Sequence, residues 1–509
     1  MSPVAGTHGL VAPSVRPSIP GDGPQSAADV LDRGVRDFPD RDALVGRWGR
    51  ATYAELDALA NQVANGLREL GVSEGDRVGG CMPNDLPIVV AFLACMRIGA
   101  IWVGINRALA PPEKQYLLND AEVSLLLEPD GDWLAWLESG DDTRPVLLGG
   151  VDIDPFAPAA IAYTSGTTGF PKGAVHSQHN LLLPGAVARS RGQYGDDDRF
   201  GVMLPLTLLN LIALGPLLAY QVGGTCVAID RVDAPGLATW IREERVTTFA
   251  SVPAILHDLL THPDVSPDDL ASLRTPGVGG ADCPEAFREL YRARYHAEVT
   301  IGYGLTEAPT AVTMTRPDEV PVPNSAGRAL PHVRVVPLDE HGAEVAPGEI
   351  GELCIGPALD GEWQGVYTPM LGYWKQPEAT AAALRDDILH TGDLGSVDEH
   401  GEVFVADRRN DLIIRGGANV YPAEVERVLH QDERVAACAV VGVPDERLGE
   451  RVVAFVQAQP GATIDAAKLL ARCEENLARY KVPERFEIVE AFERTPMGKI
   501  KKTSLRALL

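Results

Sequence analysis

The chain has 509 residues, of which 45% are hydrophobic and 23% are charged. This composition is ordinary for a globular protein, and the length predicts about two to four domains. The formal net charge of −26 argues against nucleic acid or an anionic membrane as a partner, because both attract basic surfaces.

Three further features bear on the compartment. No apolar run approaches the roughly 20 residues that a membrane-spanning helix needs, and the first twenty residues lack the basic start and apolar core of a secretory signal. The seven cysteines are scattered, which argues against a disulfide framework or a zinc knuckle. We therefore expect reduced cysteines and a cytoplasmic location.

Residues 1–26 are rich in Pro, Gly and Ser and are predicted to form a flexible leader. After it, the apolar spacing predicts a helix over 53–67, with Gly71 as its stop signal, and an apolar helix at 86–97. Strands are predicted at 77–82 and 101–105. A helix-like run at 208–220 leads to a further strand at 224–229. Helices that alternate with strands are typical of a mostly parallel sheet flanked by helices.

The pattern changes in the second half of the chain. Short apolar runs separated by turn residues over 334–355 predict a small all-β module, and residues 397–405 resemble a hairpin. The roughly one hundred residues after Asn410 mix helical and strand patterns. They are numerous enough to form a separate small α+β domain.

The stretch from Tyr163 to Gly173 follows an apolar run, residues 159–162, that predicts a buried strand. It contains four Ser or Thr residues, three glycines and a lysine. Glycines let main-chain amides approach an anion, hydroxyls add donors, and the lysine adds positive charge. The Gly-x-x-x-x-Gly-Lys spacing of the common P-loop is absent. The stretch predicts another kind of phosphate-binding loop, the alternative being a flexible turn.

This stretch resembles the phosphate-binding signature of the adenylate-forming superfamily, which comprises acyl-CoA synthetases, luciferase-like enzymes and adenylation domains. Further motifs of that superfamily recur in order from about residue 40 onward. The resemblance implies an α/β fold with a large N-terminal domain, residues 27–409. That domain has two parallel-sheet-with-helices subdomains and a small β-barrel. A mobile α+β lid, residues 410–509, follows it. ATP, Mg²⁺ and CoA are the implied cofactors.

The resemblance also assigns the nucleotide-binding residues, which are Thr164, Ser165, Gly166, Thr167, Thr168, Gly169, Lys172, Gly280, Ala281, Asp282, Tyr303, Gly304, Asp393 and Arg408. It implies that Tyr303 stacks on adenine and that Asp393 accepts hydrogen bonds from both ribose hydroxyls. It further implies that Thr306 contacts the α-phosphate and that Glu307 holds Mg²⁺, a hard cation that prefers carboxylate oxygen. Taken alone, the Gly-rich segments around Gly280 and Tyr303 could be ordinary turns.

Lys499 completes the implied catalytic set with Thr306 and Glu307. Its surroundings, residues 495–501, resemble the superfamily motif whose lysine bridges the acyl carboxylate and the phosphate during adenylation. Without the resemblance, Lys499 would be interpreted as part of a solvated basic tail.

The resemblance places the hinge of the lid at Asn410, where the superfamily usually has Asp or Lys. Rotation there would withdraw Lys499 and bring Gly416 and Gly417, the implied CoA-binding residues, to the site. Glycines leave room for the thin pantetheine arm of CoA; the alternative is a plain β-turn.

The acyl pocket is assigned to Thr207, Leu208, Asn210 and Gly302. Many acyl-CoA synthetases carry an aromatic residue and a histidine in the segment around Thr207, which this chain lacks. The absence of this aromatic residue and this histidine predicts a wide, apolar acyl pocket. Ile301 stands where Gln or Asn is frequent. Residues 360–367, before Gly372-Tyr373-Trp374, look like an insertion whose Trp363 and Tyr367 either cap the site or cover apolar surface.

These features predict an acid:CoA ligase for a hydrophobic carboxylic acid, with room for a bulky one. The acid would become an acyl-AMP, and the CoA thiol would then displace AMP. Two alternatives stay open: a ligase impaired in adenylation that performs only thioesterification, and an enzyme that loads the acyl group onto a carrier protein. The expected partners are the acid, ATP and CoA, with no nucleic acid and no membrane span. A homodimer is left open.

Overall fold

The structure is a computed structural model that describes residues 2–3, 9–145, 153–165, 170–274, 276–279, 285–295, 299–316, 319, 322–408, 413–445, 447–493, 500, 502 and 505. Residues up to 408 are called the body below, and residues from 413 onward are called the lid. The expected α/β architecture is confirmed, with parallel sheets in the body and a smaller sheet in the lid.

The helices are α1 (Asp32–Asp37), α2 (Tyr53–Glu69), α3 (Leu86–Ile98), α4 (Pro111–Asp120), α5 (Trp136–Ser139), α6 (Gln178–Ser190), α7 (Leu209–Ile212), α8 (Leu218–Val222), α9 (Ala234–Glu244), α10 (Pro253–Thr261), α11 (Glu285–Tyr295), α12 (Pro377–Ala383), α13 (Pro422–Leu429) and α14 (Ala466–Asn476). Short 3₁₀ turns occur at Ala27–Asp29, Asp132–Ala135, Asp268–Leu270 and Arg479–Lys481. A π-helical turn, Ala213–Leu217, connects α7 and α8.

The strands of the body are β1 (Ser2–Pro3), β2 (Val11–Ala12), β3 (Asp42–Gly46), β4 (Gly49–Thr52), β5 (Arg77–Gly80), β6 (Ile101–Gly104), β7 (Leu125–Leu127), β8 (Pro158–Ser165), β9 (Pro171–Ser177), β10 (Arg199–Val202), β11 (Thr225–Ala228), β12 (Thr248–Ser251), β13 (Gly277–Gly279), β14 (Ile301–Leu305), β15 (Ala308–Met314), β16 (Arg328–Ala329), β17 (Val333–Leu338), β18 (Gly351–Pro357), β19 (Gly372–Tyr373), β20 (Leu384–Arg385), β21 (Ile388–Val397) and β22 (Val403–Arg408). Those of the lid are β23 (Ile413–Arg415), β24 (Ala418–Val420), β25 (Val435–Asp445), β26 (Gly449–Ala458) and β27 (Arg485–Val489).

Two sheets with a parallel centre make up most of the body. Sheet A has the order β19-β9-β8-β6-β5-β7, with parallel pairing from β8 to β7 and antiparallel pairing at β9 and β19. Sheet B has the order β16-β15-β14-β13-β12-β10-β11-β3-β4, with antiparallel strands at its ends. The β8–β9 hairpin therefore lies on sheet A and the β14–β15 turn on sheet B.

Helix α3 packs between the two sheets, against β3 and β4 on one side and β5 and β6 on the other. Residues 87–98 are all buried, and each fully buried Leu, Ile or Phe contributes about 1.5–3 kcal/mol. Asp85 caps the start of the helix, and Gly99 ends it with φ of +69°. An apolar helix in this position fixes the spacing of the two sheets that carry the candidate site.

Two five-stranded sheets and the short antiparallel pair β1–β2 complete the described fold. Strands β17, β18, β21 and β20 form the expected small β module, in which β22 pairs with β21. The lid sheet has the order β24-β23-β26-β25, with β27 parallel to β26. Helices α13 and α14 cover it through a shared apolar core.

The predicted flexible leader differs from the structure over its described part. Leu10 and Ile19 are buried at 4% and 3% exposure, and the Val11 amide donates to the Leu371 carbonyl at 2.7 Å. The segment 9–26 therefore packs on the body, because its few apolar side chains find cover there.

Among the described residues, no helix is long and apolar enough to cross a membrane. The cysteines in the described ranges are free and buried: Cys81, Cys95, Cys226, Cys354, Cys438 and Cys473.

Candidate active site

The β8–β9 hairpin carries the described ends of the predicted phosphate-binding stretch. Thr164 pairs with Lys172 across the two strands. The Tyr163 hydroxyl donates to Asp120 Oδ2 at 2.6 Å, which joins the hairpin to α4. The lysine is thus held at the edge of sheet A, next to β19.

Lys172, Tyr373 and Glu307 meet beside this hairpin. The Lys172 ammonium lies 5.1 Å from the centroid of the Tyr373 ring, and the Tyr373 hydroxyl donates to Glu307 Oε1 at 2.8 Å. Burial, together with the Glu307 carboxylate, raises the pKa of Tyr373, so its hydroxyl remains a donor at neutral pH. One tyrosine therefore links the phosphate-stretch cation to the predicted metal-binding carboxylate.

His176 positions the turn that carries Thr306 and Glu307. Its Nε2 lies 2.8 Å from the Thr306 carbonyl oxygen, which can only accept, so this nitrogen carries the proton. Burial lowers the pKa of His176 to about 4, and the ring is neutral at physiological pH. The Met370 amide also donates to the Glu307 carbonyl, at 3.3 Å. The turn is thereby fixed by β9 on one side and the segment before β19 on the other.

Tyr303 and Asp393 are joined directly. The Tyr303 hydroxyl donates to Asp393 Oδ2 at 2.7 Å, and both residues are buried. Asp393 lies opposite Arg408 in the pairing of β21 with β22. The residues predicted for adenine and for ribose are therefore neighbours, although 90 positions separate Tyr303 from Asp393.

Glu352 supports the turn before Asp393. Its Oε1 accepts from the Gly392 amide at 3.0 Å, and its Oε2 lies 3.2 Å from His390 Nδ1. Cys354 Sγ lies 3.4 Å from the same nitrogen. The ligand atoms of these three residues lie within 4.8 Å of one another, close enough to hold a metal ion. Their mutual contacts and the bond to Gly392 already account for the arrangement as support for the turn.

The four residues predicted for the acyl pocket differ in exposure. Thr207 is buried, and among the described residues its hydroxyl has no hydrogen-bond partner. Leu208 is 40% exposed, and Asn210 is also exposed. Gly302 is half-buried in β14, and a Cβ there would lie 3.0 Å from the Thr313 carbonyl oxygen. A side chain there would crowd the neighbouring strand β15, and glycine avoids that contact.

Trp363 and Tyr367 pack in the interior. They are 5% and 2% exposed, and His332 makes edge contacts with both rings at centroid distances of 6.1 and 5.9 Å. His179 Nε2 donates to the Val366 carbonyl at 2.9 Å. Of the two interpretations of this insertion, coverage of apolar surface agrees with these contacts.

Gly416 and Gly417 form the turn between β23 and β24, with φ of +57° and +80°. A Cβ on Gly417 would lie 2.3 Å from Val252 Cγ1, in the body between β12 and α10. A Cβ on Gly416 would meet only Leu448 Cδ2, at 3.6 Å, within the lid. The lid thus presents the predicted CoA-binding turn closely against the body.

Part of the predicted site lies outside the described residues: Gly166, Thr167, Thr168, Gly169, Gly280, Ala281, Asp282, Asn410 and Lys499. Within the described part, sequence reasoning missed His176, Tyr373 and Glu352. A single histidine in an apolar strand carries no spacing signature. Gly372-Tyr373-Trp374 marks the end of the insertion in the sequence, but this signal does not indicate that the Tyr373 hydroxyl reaches Glu307.

Comparison with known proteins places this geometry in context. A family model described as AMP-binding enzyme matches residues 31–374, and one described as AMP-binding enzyme C-terminal domain matches residues 424–499. A feruloyl-CoA synthase from an Amycolatopsis species is 36% identical over 479 residues, covering 89% of this chain and 93% of the relative. A fatty acid–acyl-carrier-protein ligase from Streptomyces coeruleorubidus is 35% identical over 485 residues, covering 89% and 91%.

Among solved structures, the chain resembles an o-succinylbenzoate CoA synthetase from Bacillus subtilis, a double mutant bound to its product analogue OSB-NCoA. The TM-score is 0.83 at 27% sequence identity, and the match covers 94% of this chain and 98% of that one. Body and lid are therefore both included in the similarity.

Proposed function

The chain belongs to the AMP-binding enzymes of the adenylate-forming superfamily, and on this premise we propose that it activates a hydrophobic carboxylic acid and transfers the acyl group to CoA. The acyl pocket has room for a bulky acid. It is an ATP-dependent, AMP-forming acid–CoA ligase. The observation that best supports our assignment of its site is the meeting of Lys172 and Glu307 at Tyr373. This arrangement provides a cation for phosphate and a carboxylate for Mg²⁺ within one small volume.

In the first half-reaction, a carboxylate oxygen of the acid attacks the α-phosphorus of ATP. The bond from that phosphorus to the bridging oxygen breaks, and pyrophosphate leaves. We assign Lys172 and the Ser and Thr residues of its stretch to the phosphates, Thr306 to the α-phosphate and Lys499 to the attacking carboxylate. Positive charge brought to the reacting oxygens stabilises the transition state more than the separated reactants.

Glu307 suits the proposed Mg²⁺. Tyr373 donates to Oε1, which leaves Oε2 for a cation that prefers carboxylate and phosphate oxygens. When bound, the ion would neutralise charge on the phosphates. Tyr373 also restricts the rotamers of the carboxylate and so limits the directions that Oε2 can take.

In the second half-reaction, the CoA sulfur attacks the acyl carbon, the bond to the phosphate oxygen breaks and AMP leaves. We propose that the described lid orientation serves this step. Gly417 abuts Val252, and the similarity to the synthetase bound to a CoA product analogue extends over both body and lid. The boundary between them is proposed at residues 409 and 410, with Asn410 as the hinge.

The proposed acyl pocket uses Thr207, Leu208, Asn210 and Gly302. The exposed Leu208 and the side-chain-free position at Gly302 favour a broad apolar acid, because apolar surface in a pocket gains from burial. One relative is by name a feruloyl-CoA synthase, and the aromatic feruloyl group would suit such a pocket.

A panel of acids tests the proposal. Purified protein with ATP, Mg²⁺ and each acid should release pyrophosphate for hydrophobic acids and form a thioester when CoA is added. Lys499→Ala should slow adenylate formation sharply and largely spare thioester formation from a supplied acyl-adenylate. Lys501→Ala is the control from the same basic segment. Equal loss of both steps in Lys499→Ala would contradict the rotating-lid assignment.

Ile301 and Asn410 differ from the residues usual in the superfamily and support a second candidate function, that of a ligase impaired in adenylation. Its signature would be thioester formation from a supplied adenylate, without pyrophosphate release from any acid. A third candidate uses the phosphopantetheine of a carrier protein as acceptor, as the name of the Streptomyces relative states for that enzyme. Acyl transfer to purified carrier in the absence of CoA separates this candidate from the first.

We also propose a cytoplasmic location, which the free cysteines of the described residues support. Size-exclusion chromatography with light scattering will distinguish a monomer from a homodimer.

A further inference from the structure

A buried cluster of charges joins the body to the lid. The Lys481 ammonium lies 2.7 Å from Glu113 Oε1 and 2.9 Å from Glu424 Oε2. The exposed fractions of these side chains are 6% for Lys481, 11% for Glu113 and 3% for Glu424. Glu113 belongs to α4 of the body, whereas Lys481 and Glu424 belong to the lid. Ion pairs with so little solvent are rare, because burying charge is costly unless it is fully paired.

Glu113 binds the lid with both carboxylate oxygens. Oε1 accepts from Lys481, and Oε2 accepts from the Ala478 amide at 2.8 Å. Oε2 also accepts from the Ala110 amide at 2.8 Å, which caps the start of α4. The Glu113 carboxylate therefore accepts one hydrogen bond from the body and two from the lid.

The charges of the cluster do not cancel, since one ammonium faces two carboxylates. Burial opposes the charged form of Lys481, but Glu424 and Glu113 together raise its pKa. Burial raises the pKa of Glu424, and Lys481 partly offsets this effect. If the lid turns away, Lys481 can keep Glu424 as a partner, but Glu113 loses both lid donors. Glu113 is thus the member whose contacts depend most on lid orientation.

A second contact lies near the cluster. The Arg427 guanidinium on α13 of the lid is 4.5 Å from the centroid of the Phe170 ring, and Phe170 contacts Tyr116 on α4 at 5.0 Å between centroids. Helix α4 therefore contributes to two neighbouring lid contacts. A further contact of the lid with the body is that of Gly417, in the turn between β23 and β24, with Val252.

We propose that Glu113 is a positioning residue for the thioester-forming half-reaction: by holding Lys481 and Ala478, it stabilises the lid orientation that presents Gly416 and Gly417 to the body. This inference rests on the proposed function and on the lid orientation assigned to its second step. Adenylation uses a different orientation, so these contacts have to break and reform in every cycle.

Glu113→Gln tests the proposal with little disturbance to the fold. Glutamine keeps the size and the oxygen that caps a helix at this position, but it removes the charge that faces Lys481. Glu55→Gln is the matched control, because Glu55 occupies the same position of α2 and accepts from the Thr52 amide at 2.8 Å on an exposed surface.

The two half-reactions should respond differently. We expect thioester formation from a supplied acyl-adenylate and CoA to slow by roughly tenfold or more in Glu113→Gln, since losing one partner of a buried charged hydrogen bond changes an equilibrium by at least that factor. Single-turnover pyrophosphate release should stay unchanged or rise. Unchanged thioester formation, or equal slowing of both steps, would overturn the proposal.

Hydrogen exchange gives a readout independent of activity. Peptides covering residues 477–482 should exchange faster in Glu113→Gln than in the wild type, because the Ala478 amide loses its charged acceptor. Glu55→Gln should leave them unchanged. Unaltered exchange in Glu113→Gln would overturn the inference even if the wild type formed no product with any acid. Absence of product in the wild type would instead count against the proposed function.

Discussion

His176 Nε2 donates to the main-chain oxygen of Thr306 over 2.8 Å, although 130 positions separate the two residues. The histidine lies on β9, four residues after Lys172, so one strand carries both the predicted phosphate-binding lysine and the support for the Thr306–Glu307 turn. Strand β9 belongs to sheet A, and the turn joins two strands of sheet B. Together with the Met370 amide and the Tyr373 hydroxyl, which both donate to Glu307, this bond holds the turn of sheet B against sheet A at the site.

Replacing His176 by Phe should therefore affect both stability and adenylation. The change leaves a carbonyl oxygen unpaired in the interior, and we expect a loss of about 1–3 kcal/mol in the free energy of unfolding. Pyrophosphate release should slow more than thioester formation from a supplied adenylate. Urea unfolding and single-turnover assays measure the two effects. His176→Asn, which retains an N–H donor, should recover part of both. Equal rates in the wild type and the Phe variant would refute the positioning role.

Tyr373→Phe removes the hydroxyl that donates to Glu307 and retains the ring beside Lys172. A carboxylate freed from this bond has more rotamers, so we expect the KM for Mg-ATP to rise and adenylation to slow by about tenfold, the effect of one lost hydrogen bond to a charged group. Tyr163→Phe is the matched control, because its hydroxyl also donates to a carboxylate, that of Asp120. A similar rise in KM in both variants would argue against a specific role for Tyr373.

The sequence predicted local structure well where the signals were local. Helix α2 was expected from its apolar spacing, and the structure adds the Thr52–Glu55 capping box at its start. The run at 208–220 was expected as one helix. The structure instead has a π-helical turn containing Pro216, because proline lacks the N–H that a regular helix requires.

Long-range contacts of the site were beyond the sequence. Tyr303 and Asp393 are each predicted to bind nucleotide. No spacing rule, however, shows that the Tyr303 hydroxyl donates to the Asp393 carboxylate. His176 was missed for the same reason, because its partner is a main-chain oxygen. Such pairs depend on how two sheets pack, and packing is determined by shape and volume rather than by a short motif.

Stability should depend on pH through the buried histidines His176, His179 and His332, because burial lowers the pKa of each. Burial lowers the pKa of His176 to about 4 and that of His332 to about 3, compared with about 6.5 in an unfolded chain. The folded state therefore binds fewer protons, and stability rises with pH. The contribution is fully present above pH 6.5 and is lost as the pH falls toward 4. For His176 alone it is on the order of 3 kcal/mol.

His332→Phe should flatten this pH dependence. Among the described residues neither ring nitrogen of His332 has a hydrogen-bond partner, so an apolar ring can keep the contacts with Trp363 and Tyr367 without a polar loss. We expect the melting temperature to change little at pH 7.5 and to fall less than that of the wild type at pH 5. His341→Phe, at an exposed position, is the control. A curve parallel to the wild type would contradict the assignment.

Gly417→Ala tests the contact between the lid turn and the body. The new Cβ would lie 2.3 Å from Val252 Cγ1, at a φ of +80° that alanine adopts with strain. We expect thioester formation from a supplied adenylate to fall by more than tenfold, since overpacking a tight contact costs about 1–3 kcal/mol, while pyrophosphate release persists. Gly416→Ala has a similar backbone strain but meets only Leu448 at 3.6 Å. It should therefore lose clearly less of the second step. Equal losses in the two variants would assign the effect to backbone strain, and the role proposed for the Val252 contact would fail.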